Sequence, residues 1–449
     1  MSALRFRASG ALGALAPALR RALVARDASA VVGPDGASTG PGDGVANVPA
    51  AVAQIVARVR VEGDAALRDF ARAFDGVSLD ALEVPRAEWD SALAALDPAL
   101  RNAMERSARN IRAVHEAFAP VARECLTPDG VRITRRPEPL ERVGVYAPGG
   151  RASYPSSLLM GAIPARVAGV REVVVCSPPD GDGRPSGVLL AAAALAGVDR
   201  VFAVGGAGAV AAMALGTESV PAVDRIVGPG NAYVAEAKLQ VSSVVGIDSP
   251  AGPSELLILA DDSASPAVLA REILAQAEHD PDAAVILVTD AIGVADAVRV
   301  ALDEAISREP RTAVIRTALA RRGALLTTAS LAEAAAFSKE WAPEHLLLAV
   351  RPEAESSMLE ALRNAGTIFV GSSASVAFGD YLSGANHVLP TGGAARRYSG
   401  LSTSDFVRWT TTQWIDRRAA ASLARDTETF ARAEGLPAHA SAAAQWADA

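Results

Sequence analysis

The chain has 449 residues, of which 50% are hydrophobic and only 4% aromatic, and its formal net charge is −8. This length is enough for roughly three domains of ordinary size, with cores packed by Ala, Val and Leu. The acidic balance, without a basic block, argues against nucleic acid or an anionic membrane as a partner, and the longest apolar run, residues 187–198, is too short to span a bilayer.

The chain begins with a stretch that we expect to form an amphipathic helix. The first 26 residues contain five arginines and no acidic residue, a pattern that also faintly resembles an organelle transit peptide. Residues 32–44 are rich in Gly, Pro, Ser and Asp, as is typical of a linker. We predict a helical arm and linker over residues 1–44. Since the stretch lacks the long apolar core of a secretory signal, we predict a cytoplasmic location.

The rest of the chain predicts an α/β protein. Apolar residues at helical spacing indicate helices from residue 48 to about 118, and short apolar runs then alternate with Ala-rich helical stretches, as in parallel sheets with crossover helices. The runs are residues 143–146, 173–176, 201–204, 226–227, 256–260, 284–288, 324–326, 346–350 and 367–370. Because these runs exceed one comfortable sheet, we predict two Rossmann-like parallel-sheet units.

The two units are expected to be interleaved along the chain. We assign residues 45–145 and 254–400 to a first α/β domain and residues 146–253 to a second. Residues 401–449 are polar and show no strand pattern, so they predict a small C-terminal helical segment.

Glycine-rich turns follow three of the predicted strands, at residues 148–150, 205–206 and 228–231. Ligands of open α/β sheets bind beyond the carboxyl ends of the strands, and small residues let the backbone approach a phosphate. None of the turns matches G-x-G-x-x-G, the standard dinucleotide-binding fingerprint. Tight turns without a ligand are therefore the alternative interpretation.

Four of the five histidines lie in short polar segments of the C-terminal half that also contain a carboxylate or an amide. They are His279, His345, His387 and His439. Imidazole is the commonest metal ligand and the side chain that titrates nearest neutrality, so this clustering indicates a metal site with a general base. Surface or helix-capping histidines are the alternative.

Candidate metal ligands surround these histidines. Gln276 and His279 are three residues apart near the end of a predicted helix, which would place both on one face, although a histidine there can also complement the helix dipole. Asp380 follows a predicted strand, in a loop suited to an oxygen ligand, and His387 and His439 come on later loops. An oxygen- and nitrogen-rich set suits zinc or manganese.

The adjacent Glu344 and His345 stand at a predicted strand start and point in different directions, so they can serve separate proton transfers. A solvated glutamate beside a partly buried histidine is the alternative.

A series of motifs, in the expected order from about Ala50 to His439, closely resembles the histidinol dehydrogenase family. The motifs are YAPGGR at residues 146–151 with YPSS at 154–157, GPGN at 228–231, AGPSE at 251–255, QAEHD at 276–280, PEHL at 343–346, NHVLPT at 386–391 and EGLPAH at 434–439. The resemblance implies two successive NAD-linked oxidations of L-histidinol to L-histidine through L-histidinaldehyde, the last step of L-histidine biosynthesis.

The resemblance also implies a site shared across an intertwined homodimer. One zinc ion per subunit, with manganese as a possible substitute, would be held by Gln276, His279 and Asp380 and by His439 of the partner subunit. The zinc would mainly orient the substrate. The first domain would then carry the metal ligands and the base, and the second would bind NAD.

The individual roles follow from the same resemblance. His345 would accept the hydroxyl proton, and Glu344 would activate the water that attacks the aldehyde. Tyr146 and Asn231 would contact NAD. The residues implied to bind substrate are Ser254, Gln276, His279, His345, Asp380, His387 and, from the partner subunit, Glu434 and His439.

The chain departs from the family pattern at Gly208, where residues 205–208 read Gly-Gly-Ala-Gly and the family usually has a glutamine that touches NAD. Three other functions stay open. A relative that oxidises another small amino or sulfonated alcohol is disfavoured by Glu434 and His387, a zinc hydrolase by the glycine-rich turns, and a silent binding protein by the otherwise intact polar motifs.

Overall fold

The computed structural model describes residues 4–26, 47–149, 153–249 and 252–448. The helices in these ranges are α1 Pro17–Val24, α2 Val48–Glu62, α3 Asp64–Phe70, α4 Arg86–Ala95, α5 Pro98–Ala117, α6 Pro155–Val167, α7 Gly187–Ala196, α8 Gly206–Leu215, α9 Ala232–Val241, α10 Pro266–Ala277, α11 Ile292–Ala305, α12 Thr312–Arg322, α13 Leu331–Trp341, α14 Pro352–Ala361, α15 Val376–Tyr381, α16 Arg417–Ala433 and α17 Pro437–Ala444. The strands are β1 Ala8–Ala11, β2 Arg123–Leu126, β3 Arg132–Pro139, β4 Arg142–Tyr146, β5 Glu172–Ser177, β6 Arg200–Ala203, β7 Arg225–Val227, β8 Gly246–Ile247, β9 Glu255–Ala260, β10 Ala284–Thr289, β11 Ala324–Thr327, β12 His345–Ala349, β13 Thr367–Val370 and β14 Val407–Trp414.

The larger sheet has six parallel strands in the order β1-β11-β10-β9-β12-β13. Its central strands β9 and β10 read ELLILA and AVILVT, and all of their residues are buried. Such unbroken apolar runs are expected where helices cover both faces of a parallel sheet. Two separate hydrophobic cores flank the sheet, one on each face. This part of the predicted α/β fold is confirmed.

The smaller sheet has five parallel strands in the order β6-β5-β4-β7-β8. Its core also contains Val52, Val59, Leu67 and Ile111, which come from α2, α3 and α5. The sequence grouped residues 45–145 with the larger sheet, but these helices pack on the smaller one. The sequence of these helices could not predict which sheet they join, because an apolar helix face does not specify which sheet it covers.

Helix ends near the smaller sheet follow local capping rules. Helix α7 occupies the longest apolar run of the chain; Ser186 caps its first turn, and Gly197 ends it in the left-handed conformation at φ 68°. Within the described ranges, every helix is too short or too polar to cross a membrane.

Both terminal segments contain strands that their sequences did not predict. The N-terminal arm was predicted to be helical, yet β1 pairs in parallel with β11 at the edge of the larger sheet. The C-terminal segment was predicted without strands, yet β14 pairs antiparallel with β3, which also pairs with β2. These strands are short or largely polar and exposed, so they lack the apolar pattern of the buried strands. The predicted linker at residues 32–44 lies outside the described residues.

Candidate active site

The predicted proton-transfer pair, Glu344 and His345, lies at the start of β12, as expected. Both residues are buried, with exposed fractions of 6% and 5%. The backbone of Glu255, the first residue of β9, holds both side chains: its N–H donates to Glu344 Oε2 at 2.7 Å, and its carbonyl oxygen lies 3.0 Å from His345 Nδ1. Because a carbonyl oxygen only accepts, Nδ1 carries a proton, and in the neutral ring Nε2 keeps its lone pair.

Burial and close charges shift the acidity of this pair. Burial raises the pKa of Glu344, against the opposing effects of His345 and the Glu255 N–H. Burial by itself lowers the pKa of His345, but Glu344, at 3.5 Å from Nδ1, and Asp380, at 3.8 Å from Nε2, outweigh it and raise the pKa to about 9. Among the described residues, His345 Nε2 has no hydrogen-bond partner. It is thus the atom of the pair that is free to exchange a proton with a bound molecule.

Asp380 and His387 lie on the segment after β13, and this segment contacts α6, a helix of the smaller sheet's unit. Asp380 belongs to the short helix α15, whereas the sequence predicts a loop at this position. His387 Nδ1 lies 2.9 Å from the Asp380 carbonyl oxygen, and His387 Nε2 lies 3.2 Å from Ser157 Oγ, in the first turn of α6. Burial lowers the pKa of His387, and Asp380 opposes that shift. Asn386 donates to the Met160 carbonyl oxygen at 2.7 Å, a second link to α6.

Gln276 and His279 are the other two metal ligands that the resemblance implies for this chain, and both lie at the carboxyl end of α10. Gln276 lies in the last turn of α10, and His279 lies two residues beyond the end of this helix. The sequence predicts both residues within the helix, on one face. His279 has an exposed surface, yet enough protein surrounds its ring for desolvation to lower its pKa, against the effect of Asp380. Asp380 Oδ1 lies 3.8 Å from His345 Nε2 and 3.9 Å from His387 Nδ1, and we call these three side chains the cluster.

Gln276, His279 and Asp380 supply part of the donor set that a metal site needs. Gln276 is buried, and its side-chain NH2 group finds no hydrogen-bond partner in the described part of the chain, so this group is left to donate to a bound molecule, while a metal would take the amide oxygen. Across the described ranges, no three His, Cys, Asp or Glu side chains form a metal site by themselves. His279, Asp380 and Gln276 supply nitrogen and oxygen donors, which suit zinc or manganese, but a fourth ligand has to come from elsewhere.

Three other predicted site residues stand apart from one another. Ser254 directly precedes β9, next to the residue that holds the proton-transfer pair. Glu434 and His439 lie at the end of α16 and in α17; both are exposed, and within the described residues no hydrogen bond or ion pair joins their side chains to the cluster. Instead α16 contacts the β2–β3 hairpin, where Ser422 donates to Asp129 at 3.0 Å.

The predicted cofactor contacts lie at the carboxyl ends of the smaller sheet's strands. Tyr146 ends β4, and its hydroxyl accepts the Gly206 N–H at 3.1 Å. Burial raises the pKa of Tyr146 to about 12, so its hydroxyl stays protonated. A Cβ at Gly228 would collide with the Tyr146 carbonyl oxygen, so this turn requires glycine. Asn231 is exposed and caps α9 through Oδ1, which leaves its side-chain N–H groups for a ligand.

A buried ion pair holds this turn in place. Lys238 Nζ lies 2.6 Å from Asp248 Oδ1 and also donates to the Gly228 carbonyl oxygen, while the Gly228 N–H donates to Asp248 Oδ2 at 2.7 Å. Burial raises the pKa of Asp248, and Lys238 opposes this shift. The sequence did contain a signal for this role, since Lys238 is one of only two lysines among 43 basic residues.

Gly208, where the family pattern differs, lies buried in the first turn of α8. A Cβ at this position would lie 3.2 Å from Phe70 Cδ2 and 3.5 Å from Leu67 Cδ2. A larger side chain would therefore press against α3 unless Phe70 moved. The structure thus gives a packing reason for a small residue at position 208.

Comparisons with known proteins agree over most of the chain. A family model described as histidinol dehydrogenase matches residues 40–445. The histidinol dehydrogenase of Natronomonas pharaonis is 47% identical over 432 residues, which cover 96% of this chain and 97% of that protein. The one from Methanosarcina barkeri is 45% identical over 402 residues, or 89% and 92% of the two chains. The crystal structure of histidinol dehydrogenase from Elizabethkingia anophelis matches with a TM-score of 0.90 and 32% identity and covers 99% of both chains.

Proposed function

The chain belongs to the histidinol dehydrogenase family, and we propose that it oxidises L-histidinol to L-histidine in two NAD-linked steps in the cleft between its two parallel sheets. It is an NAD-linked oxidoreductase of histidine biosynthesis. L-histidinaldehyde would be the intermediate, kept in the cleft between the steps. The cytoplasm remains the predicted location.

The observation that carries the proposed chemistry is the hydrogen bonding of His345. Its Nδ1 donates to the Glu255 carbonyl oxygen, so the neutral ring has an unprotonated Nε2. That atom is buried and finds no partner among the described residues. A general base needs a lone pair within reach of the proton it removes. Once the ring is neutral, Nε2 meets this need for a substrate hydroxyl held at the Asp380 side of the ring, and at neutral pH this requires the pKa of His345 to fall below the value of about 9.

Glu344 is the matching candidate for the second step. Hydration of an aldehyde needs a group that takes a proton from water, and burial keeps the pKa of this carboxyl raised, toward the range of a useful base. Its Oε2 is held by the Glu255 N–H. His387 and Ser254 would hold the substrate from this chain, and Glu434 of the partner subunit would face its ammonium group.

We assign the zinc site to Gln276, His279 and Asp380, with His439 of the partner subunit as the fourth ligand and manganese as a possible substitute. The nitrogen and oxygen donors of these side chains, the burial of Gln276 and the position of Gln276 and His279 at one end of α10 support this set. When bound, zinc would orient the substrate and, by offsetting the Asp380 charge, lower the pKa of His345.

A homodimer would bring the fourth ligand to the site. The C-terminal segment carries an apolar groove of about 420 Å³, lined by Ile415, Leu423, Ala424 and Trp446 among others. Phe378 and Tyr381 in α15, beside Asp380, are also 58% and 57% exposed. Exposed apolar groups at both places suit an interface that a second copy covers.

NAD would bind at the opposite side of the cleft. Helices α8 and α9 begin there, and the N–H groups of a helix amino end favour a phosphate anion. Tyr146 and Asn231 stand at the same edge and would contact the cofactor. When bound, NAD accepts the hydride in each of the two oxidations.

A spectrophotometric assay of NADH release from L-histidinol tests the proposal. Two NADH per L-histidinol are expected. In Glu344→Gln, an isosteric change, the oxidation of added L-histidinaldehyde should slow more than that of L-histidinol, because an amide cannot take a proton from water. No NADH from the folded wild-type protein would overturn the proposed function, whereas equal slowing of both steps would overturn the role of Glu344 alone.

A further inference from the structure

The N-terminal arm reaches the centre of the larger sheet through one side chain, that of Arg26. After β1 has joined the sheet edge, α1 crosses one face, and the Leu23 carbonyl oxygen accepts the indole N–H of Trp341 at 3.1 Å. Arg26 follows α1 in the left-handed conformation, with φ 54°. That conformation is uncommon outside glycine, so the surrounding contacts must hold this residue in place.

Arg26 forms a two-bonded ion pair with Glu255. Its Nε lies 2.7 Å from Glu255 Oε1 and its Nη2 2.9 Å from Oε2, and the two side chains are 9% and 3% exposed. The guanidinium also stacks over the Trp341 ring, with 4.3 Å from Cζ to the ring centroid, and donates to the Ala342 carbonyl oxygen at 3.2 Å. A planar guanidinium can make all these contacts at once, and an ammonium cannot.

Both residues that Arg26 contacts here, Glu255 and Ala342, lie next to the proton-transfer pair. The Glu255 N–H holds Glu344, and the Glu255 carbonyl oxygen holds His345 Nδ1. Ala342, which Arg26 also contacts, lies two residues before Glu344. A buried carboxylate at Glu255 needs a counter-charge, and the Gly392 N–H at 2.9 Å is its other partner.

We propose that Arg26 is a positioning residue for catalysis: its pairing with Glu255 sets the placement of the β9 backbone that orients Glu344 and His345. This inference rests on the proposed function of that pair. Arg26 precedes residue 40, where the family match begins, so the match itself assigns it no role. The arm would then be part of the catalytic apparatus rather than a peripheral appendage.

The test compares Arg26→Ala with Arg20→Ala in the full-length protein. Arg20 comes from the same arm and pairs with Glu340 on α13 at 2.6 Å, but both of those side chains are more than 40% exposed. We expect Arg26→Ala to lower kcat of both oxidations by about ten- to hundredfold, since small misplacements of reacting groups have effects of that size. The KM for NAD should stay within about twofold, because the cofactor binds at the other sheet. Arg20→Ala should match wild type in kcat.

A purely structural role would instead lower the melting temperature and leave kcat per folded molecule unchanged, and that result would overturn the proposal. If Arg26→Ala does not fold, Arg26→Lys decides: its ammonium keeps the charge but cannot span both Glu255 oxygens, so kcat should fall at least threefold, and full wild-type kcat would overturn the proposal. Wild-type protein is assayed in parallel. A wild type that releases no NADH refutes the proposed function, whereas an active wild type with an unaffected Arg26→Ala refutes only this inference.

Discussion

The two parallel sheets face each other with opposite strand ends at the contact between Ser157 and His387. We call the strand ends of each sheet at this contact its edge. The smaller sheet presents the carboxyl ends of its strands, which the amino ends of α8 and α9 follow. The larger sheet presents the amino ends of β9, β10 and β12, and the carboxyl ends of α10 and α13 precede the last two. Helix amino ends carry partial positive charge and carboxyl ends partial negative charge. One edge therefore suits an anion such as a cofactor phosphate, and the other suits a cation and proton-accepting groups.

Each edge is also held by its own buried ion pair. Lys238 and Asp248 hold the Gly228 turn of the smaller sheet, and Arg26 and Glu255 hold the start of β9 in the larger one. The Ser157–His387 contact joins the two edges. The comparison indicates that changes at one edge should affect the chemistry, and changes at the other should affect cofactor binding.

The largest effect is expected at the proton-accepting edge. His345→Asn keeps a donor toward the Glu255 carbonyl oxygen but removes the Nε2 lone pair, so kcat of both oxidations should fall by about 10²- to 10⁴-fold. The Kd of NAD should be unchanged, because the proposed cofactor contacts lie on the other sheet. Stopped-flow kinetics and cofactor titration measure the two quantities. A loss of NAD affinity comparable to the loss in kcat would contradict the division between the edges.

A second experiment asks whether the cation-binding edge is completed by another subunit. His279→Ala and His439→Ala chains should each be nearly inactive alone. Co-refolded in equal amounts, they should recover about a quarter of wild-type activity, because half of the dimers are mixed and each mixed dimer has one intact site. Verified mixed dimers without activity would mean that His439 serves its own chain.

The ion pair of the smaller sheet gives a smaller and different effect. Removing one partner of a buried pair typically costs about 3–5 kcal/mol, so Lys238→Met should lower the free energy of unfolding by that order. Its KM for NAD should rise, since the Gly228 carbonyl oxygen loses its contact with Lys238 and Asp248 loses its counter-charge. Lys339→Met, a change of the exposed second lysine, is the matched control for chemical denaturation and kinetics. A stability loss without any change in KM would separate this pair from the cofactor edge.

The smallest effect is expected at Gly208. A hydrogen bond contributes about 0.5–1.5 kcal/mol, so Gly208→Gln should tighten NAD several-fold at most, and only if Phe70 yields to the new side chain. Gly208→Ala supplies the Cβ without the amide and serves as the control. Equal NAD affinities of the two variants by calorimetry would show that position 208 does not reach the cofactor.

Much of the larger sheet, and the position of Glu344 and His345 at the start of one of its strands, could be predicted from the sequence. Strands such as β9 and β10 are continuous apolar runs, and adjacent Glu344 and His345 differ in direction wherever a strand begins. The polar strands β3 and β14 could not be predicted, because their pairing depends on each other rather than on an apolar pattern. The position of His279 beyond α10 was also missed, because helix ends depend on tertiary contacts as well as on local propensity.

The sequence by itself determined which side chains are available for chemistry and the order in which strands, turns and ligands occur, since these follow from residue identity and local periodicity. Only the tertiary structure decided which edge of each sheet faces the cleft and which charges meet there. Arg26 and Glu255 are 229 positions apart, and their pairing follows from how the arm packs on the sheet. Burial decided the rest: among the described residues it leaves His345 Nε2 without a hydrogen-bond partner, and it makes a counter-charge such as Arg26 necessary for Glu255, neither of which depends on neighbours along the chain.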